Sequence, residues 1–174
     1  LEAATGYTAV QGPGLVVVLD SADGSDPAAT DDPGRVLDTD VQNAVNALWA
    51  SGAEAIAVNG VRLTSTTAIR SAGAAILVDF RPLLPPYRVE AIGDSAALAV
   101  AFPRTTSGRE LDDVVQQFGV KLSLEQAASL TLPVSTALLP VRARVPSLAT
   151  DTVAGSSGGT GVDPVAGTSE EARP

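Results

Sequence analysis

DTDVQNAVNALWASGAEAIAVNGVRLT, residues 38–64, contains a helix, a reversal, a strand and a tight hairpin in one uninterrupted run. Val41, Ala44, Val45, Leu48 and Trp49 recur at i, i+3, i+4, i+7 and i+8, the spacing of one α-helical stripe. That stripe is expected to be buried, with Trp49 as the largest single component of the core. Asp38, Thr39 or Asp40 can accept a bond from the free amides of the first turn, and the carboxylates complement the positive end of the helix dipole. Gly52 suits the left-handed conformation that ends a helix. Residues 55–58 and 61–64 then flank Asn59-Gly60, a pair that tolerates the two positive φ angles of a type I′ turn. A β-hairpin is therefore expected.

Upstream, residues 7–11 alternate like a short strand, Gly12-Pro13-Gly14 makes a turn or bulge, and residues 15–20 read as a strand covered on both faces. Residues 21–37 lack periodicity and read as a long surface loop. Downstream, 65–73 is ambiguous between loop and strand extension, and 75–80 is a strand. Pro82, Pro85 and Pro86 impose an extended connection before a strand at 88–92. Asp94 and Ser95 cap a short Ala-rich helix that stops at Pro103. Ser107 and Glu110 have the spacing of a capping box ahead of the stripe Leu111, Val114, Val115 and Phe118. Gly119 closes that helix, and 120–124 alternates like a last strand.

This order implies an α+β fold over residues 1–142: a single domain with a mixed β-sheet, helices packed mainly on one face, and ferredoxin-like βαβ elements. The strand-helix-strand unit from Leu15 to Val58 is expected to cross over right-handedly. Residues 143–174, dominated by Pro, Gly, Ser, Thr and acids, read as a flexible low-complexity tail.

Hydrophobic content of 45% and a mean hydropathy of +0.22 support a folded core, which the 3% aromatic content restricts mainly to Ala, Val, Leu and Ile. Eleven basic against twenty acidic residues give a net charge of −9, so nucleic acid is not an expected partner and a bare anionic membrane would repel the chain. The sequence has no His and no Cys. This removes Ser-His-Asp and Cys-His catalysis, the common structural zinc sites and disulfides. No run approaches the length of a membrane span.

Several side chains still merit a chemical reading. Asp20, Asp23, Asp26, Asp31 and Asp32 offer oxygen ligands, but Ala22 and Gly24 stand where an EF-hand loop needs acids, so a solvated loop is the better reading and no metal is expected. Gly12-Pro13-Gly14 precedes a strand rather than a helix, unlike a dinucleotide fingerprint. Arg62, Thr64 and Thr66 share strand parity if the hairpin arm continues, with Arg70 just beyond, so guanidinium and hydroxyl donors can face solvent together and hold a carboxylate or phosphate. The alternative is that both arginines simply pair with acids. Asn43 and Asn46 lie off or at the margin of the apolar stripe, where their amides can bond a ligand or neighbouring backbone. A carboxylate-only hydrolase using Asp40 with Glu54 or Glu90 is the remaining catalytic option, and no spacing selects that pair.

The segments GPGLVVVLD (12–20), 38–78 and PPYRVEAIGD (85–94) together resemble the bacterial domain-of-unknown-function family 881, the YlxW/YlxX-like proteins. The resemblance covers most of residues 5–130. It implies an envelope protein with an amino-terminal membrane anchor, often followed by a coiled coil, and sometimes encoded near cell-division genes. Both segments would lie before Leu1, in keeping with a chain that does not start with Met. No catalytic or binding residues carry over, and no cofactor is implied. The resemblance and the missing catalytic groups lead to one expectation: a non-catalytic interaction or scaffold domain, extracytoplasmic and membrane-attached only through an upstream segment, working through a protein partner or self-association. A sensor domain for a small anionic ligand, using Arg62, Arg70 and nearby hydroxyls, is the alternative.

Overall fold

Eight strands and three helices are present in the computed structural model, which describes residues 6–26 and 29–136. β1 (Val10–Asp20) leads through an irregular loop to α1 (Asp38–Ala50), and β2 (Ala55–Val58) turns at Asn59-Gly60 into β3 (Val61–Arg62). Asn59 and Gly60 have φ of 44° and 76°, the two positive values the type I′ turn requires. β4 (Ile69–Ala72), β5 (Ala75–Val78) and β6 (Arg81–Leu83) follow, then β7 (Tyr87–Ile92). α2 (Ser95–Ala101) runs through a 3₁₀ turn at Phe102–Arg104 into the region of α3 (Thr106–Phe118), and β8 (Lys121–Leu132) ends the described fold.

Five strands form one sheet in the order β3-β2-β7-β1-β8, and β4-β5-β6 make a separate three-stranded meander. Every paired ladder is antiparallel. The βαβ relation is present in split form: β1 and β2 both pair with β7, which lies between them, and β7 and β8 both pair with β1 in the same way. Two interlocked split units of this kind are the ferredoxin-like arrangement, so the fold is α+β with strands of both directions.

One face of the sheet carries the helices. Leu15, Val17 and Leu19 of β1 share a cluster with Val41, Ala44 and Leu48 of α1, and with Leu98, Phe102 and Leu111. The other face holds Val16, Ala55, Ala57 and Ile92 beneath Leu130 and Leu132 from the end of β8, with no helical residue in the cluster. The strand itself bends to do this. One extra residue on β8 shifts the β1–β8 register between Gly12 and Gly14. A Cβ on Gly14 would stand 1.9 Å from the Ala91 carbonyl oxygen, so only glycine lets β1 pass this close to β7.

Several local expectations change. Trp49 is 44% exposed and does not anchor the core; Phe102 is the largest fully buried side chain. α1 is capped by a reciprocal bond in which the Leu37 N–H donates to Asp40 Oδ2 at 2.8 Å. The cap of α3 is Thr105, not Ser107: the helix begins at Thr106, and Thr105 Oγ1 accepts from the Gly108 N–H at 2.9 Å. Phe80 leaves the strand for a turn, with φ of 63° beside Asp79 at 51°. β3 stops at Arg62, and β8 extends to Leu132, eight residues past the expected end. The tail expected at 143–174 lies outside the described residues.

Candidate functional site

On α1, residues 42, 45, 46 and 49 follow the i, i+3, i+4, i+7 spacing one step round from the core stripe, and they form a second stripe. Against it lies the segment that leaves β3. Gln42, Val45, Asn46 and Trp49 on one side and Leu63, Thr64, Thr67, Ala68 and Ile69 on the other enclose a groove of about 390 Å³. This explains Trp49: its indole forms the groove wall instead of entering the sheet-facing core. Val45 and Leu63, each 6% exposed, belong to the main core cluster and give the groove an apolar base.

The groove wall is held by its own hydrogen bonds. Gln42 Nε2 donates to the Ile69 carbonyl at 2.9 Å and fastens the helix to the opposite side. The Thr64 N–H donates to Thr67 Oγ1 at 3.0 Å, and the hydroxyls of Thr64 and Thr67 lie 3.1 Å apart. Asp38 Oδ2 accepts from the Ser71 N–H at 3.0 Å, docking the start of α1 on β4. No charged side chain lines the groove.

The six residues singled out from sequence do not form one cluster. Asn46 and Thr64 line the groove, whereas Thr66 sits beside it with its hydroxyl 3.2 Å from that of Thr64. Asn43 is half-buried on α1 and is not part of the lining. Arg70 lies on the meander, its guanidinium 5.1 Å from the ring centre of Phe80. Arg62 is 3% exposed and points inward: Nη1 donates to the carbonyl oxygens of Thr8 and Pro133, each at 3.3 Å. Burial lowers its pKa from the ordinary arginine value. The solvent-facing pair of Arg62 and Arg70 is therefore corrected, because the sheet closes over the face on which Arg62 was expected to be exposed.

Sequence alternation missed the groove because its parts come from a helix and a connection that alternate by different rules. The shifted helical stripe 42/45/46/49 was the available signal. A second feature is the edge of the main sheet. β8 pairs with β1 on one side, and among the described residues no strand pairs with its other side. Lys121, at the start of that edge, is ion-paired with Asp23, which raises its pKa. Among the described residues, no group of three or more His, Cys, Asp or Glu is placed to hold a metal, and no helix is long and apolar enough to cross a membrane.

A family model described as a bacterial protein of unknown function, DUF881, matches residues 1–143. UPF0749 protein Rv1823 of Mycobacterium tuberculosis is 37% identical over 141 residues, covering 76% of this chain and 46% of the relative. UPF0749 protein YlxW of Bacillus subtilis is 37% identical over 93 residues, 53% of this chain and 40% of the relative. The chain thus spans less than half the length of these curated relatives. A crystal structure of an uncharacterized conserved protein from Mycobacterium tuberculosis is similar, with a TM-score of 0.64 and 26% identity over 82% of this chain and 94% of that one. Neither the relatives nor the described residues point to catalysis. On the match across residues 1–143, this chain belongs to the bacterial protein family of unknown function DUF881.

Proposed function

We propose that this chain is a non-catalytic interaction domain of a membrane-anchored bacterial envelope protein, facing the extracytoplasmic side and linked to cell division. It recruits a protein partner, or a second copy, by strand addition along β8. The supporting observation is the edge itself: twelve residues, Lys121–Leu132, with pairing to β1 alone among the described residues. An added strand gains main-chain hydrogen bonds there, and alternate side chains set its identity. The usual protections of such an edge are few: one lysine at its start, one glutamate at position 125 and the bulge between Ala127 and Leu130, with no proline within it, so residues 121–127 offer the uninterrupted stretch. Missing His and Cys support the non-catalytic part of the reading. Anchoring and the division link rest on the family resemblance.

A photo-reactive residue at Ser123 in the full-length protein, expressed in its host, tests this. Ser123 is exposed on β8 and Arg109 is exposed on α3. The expected result is a defined adduct from position 123 and none from position 109, with the protein recovered in the membrane fraction. Equal labelling at both positions, or recovery only in the cytosol, contradicts it. The anionic-ligand sensor is the weaker reading, since Arg62 and Arg70 do not face a common space.

A further inference from the structure

We infer that the groove between α1 and residues 63–69 is a saccharide site, which takes a neutral pyranose ring against the indole of Trp49. The inference does not depend on strand addition at β8. It rests on what the lining offers and what it lacks.

With no charged side chain in the lining, an ionised ligand would give up hydration there without gaining a counter-charge. The polar groups present are amides and hydroxyls: Asn46, Gln42, Thr64 and Thr67. These both donate and accept, as vicinal sugar hydroxyls do. Asn46 is exposed and forms no side-chain hydrogen bond among the described residues, and Gln42 spends its Nε2 on Ile69 while keeping Oε1. A wholly apolar ligand would leave these groups without water or partner. Trp49, 44% exposed, adds a flat face with negative quadrupole, the complement of the apolar C–H face of a pyranose.

A peptide is the other neutral polar candidate, and the backbone argues against it. Extended peptides bind where a row of main-chain donors and acceptors is free. Here the Leu63 N–H donates to Ile56 at 2.9 Å, the Thr64 N–H to Thr67 Oγ1, and the Thr67 N–H to the Thr64 carbonyl at 3.2 Å. The Ile69 carbonyl is taken by Gln42. These main-chain groups of the wall are therefore already committed, the hydroxyls of Thr64 and Thr67 are partly engaged with each other, and the freest polar groups are the Asn46 amide and Gln42 Oε1 across from them. Those commitments also hold the groove in place before binding, which reduces the ordering cost of association. At about 390 Å³ the groove is near the lower end of ligand pockets, roughly 300–1,000 Å³, which suits one ring of a chain that continues along the surface.

Trp49 is the single tryptophan, so emission excited selectively at tryptophan reports this groove alone. The purified protein is titrated with cellohexaose, chitohexaose and maltohexaose, and with an Ala-Ser hexapeptide and inorganic phosphate as competing arms. The expected result is a saturable emission change with at least one of the sugars and none with peptide or phosphate. By calorimetry, Asn46→Ala weakens the sugar by about tenfold, the scale of one lost hydrogen bond. Trp49→Ala abolishes the heat signal while keeping the thermal melt of the parent, since the ring is partly solvent-exposed. Three outcomes overturn the inference: no saturable signal from any of the sugars up to roughly 10 mM, sugar binding undiminished in Trp49→Ala, or peptide or phosphate binding more tightly than every sugar.

Discussion

Arg62, the last residue of β3, donates from Nη1 to the carbonyl of Pro133, the residue after β8, at 3.3 Å. β3 and β8 are opposite edges of the five-stranded sheet, so this bond brings the two ends of the sheet together over its second face. The same nitrogen also reaches Thr8, in the chain that leads into β1. Replacing Arg62 by Ala leaves two carbonyls to find water in a buried setting and removes charge-assisted bonds worth about 1.5–3 kcal/mol. Urea unfolding of Arg62→Ala is expected to show a loss of about 2–4 kcal/mol. Arg62→Lys, which keeps the charge but not the planar fork, falls between.

Asp40 gives a pH dependence with a definite sign. Burial is the main cause that raises its pKa above the ordinary 3.8, opposed by the bond from the Leu37 N–H, with nearby Asp38 adding to the rise. Between 3.8 and the raised native value, the folded protein holds this proton more tightly than the unfolded chain does. The group's contribution to stability is therefore greatest below the unfolded pKa and declines as pH rises through the window. Asp40→Asn keeps an oxygen for Leu37 and has no charge to bury. Its unfolding free energy relative to the parent is expected to increase from about pH 3 toward neutrality and then level off. A constant difference across that range would contradict the assignment.

Phe80 holds a left-handed φ of 63° while 74% exposed. A bulky residue there costs about 1–2 kcal/mol, and the contact with Arg70 returns about 0.5–1 at an exposed site. Asparagine tolerates this conformation. Phe80→Asn is therefore expected to raise stability by about 0.5–1 kcal/mol, read as a higher urea midpoint at unchanged slope.

What was legible in the sequence is what local rules decide. The α1 stripe, the Asn59-Gly60 turn, the Asp94 cap, which accepts from the Ala96 and Ala97 amides, and the Gly119 stop at φ 74° each depend on neighbours a few residues away. The misses depend on distant contacts. Alternation along β3 predicted an outward Arg62, but Val61 and Leu63 join the helix-side cluster while Arg62 is buried against the carbonyls of Thr8 and Pro133. The last eight residues of β8, EQAASLTL, carry few strong strand formers and are held by their ladder to β1 rather than by propensity. For the groove, Asn46 and Thr64 were found by residue chemistry, and Trp49 was missed because a helix one step out of phase presents a different stripe.

Recruitment by strand addition at β8 is tested by placing proline on the open edge. Of two adjacent residues on an edge strand, one directs its N–H to the neighbouring strand and the other to solvent, so proline at one of 123 and 124, and not at the other, leaves the ladder to β1 intact. The folded variant of Ser123→Pro and Leu124→Pro, identified by its melting curve, carries a photo-reactive group at Glu125 in the full-length protein in host cells. The adduct formed by the parent bearing the same group is expected to be lost while the fold is kept. An adduct of undiminished yield from that folded proline variant would contradict recruitment by strand addition at β8.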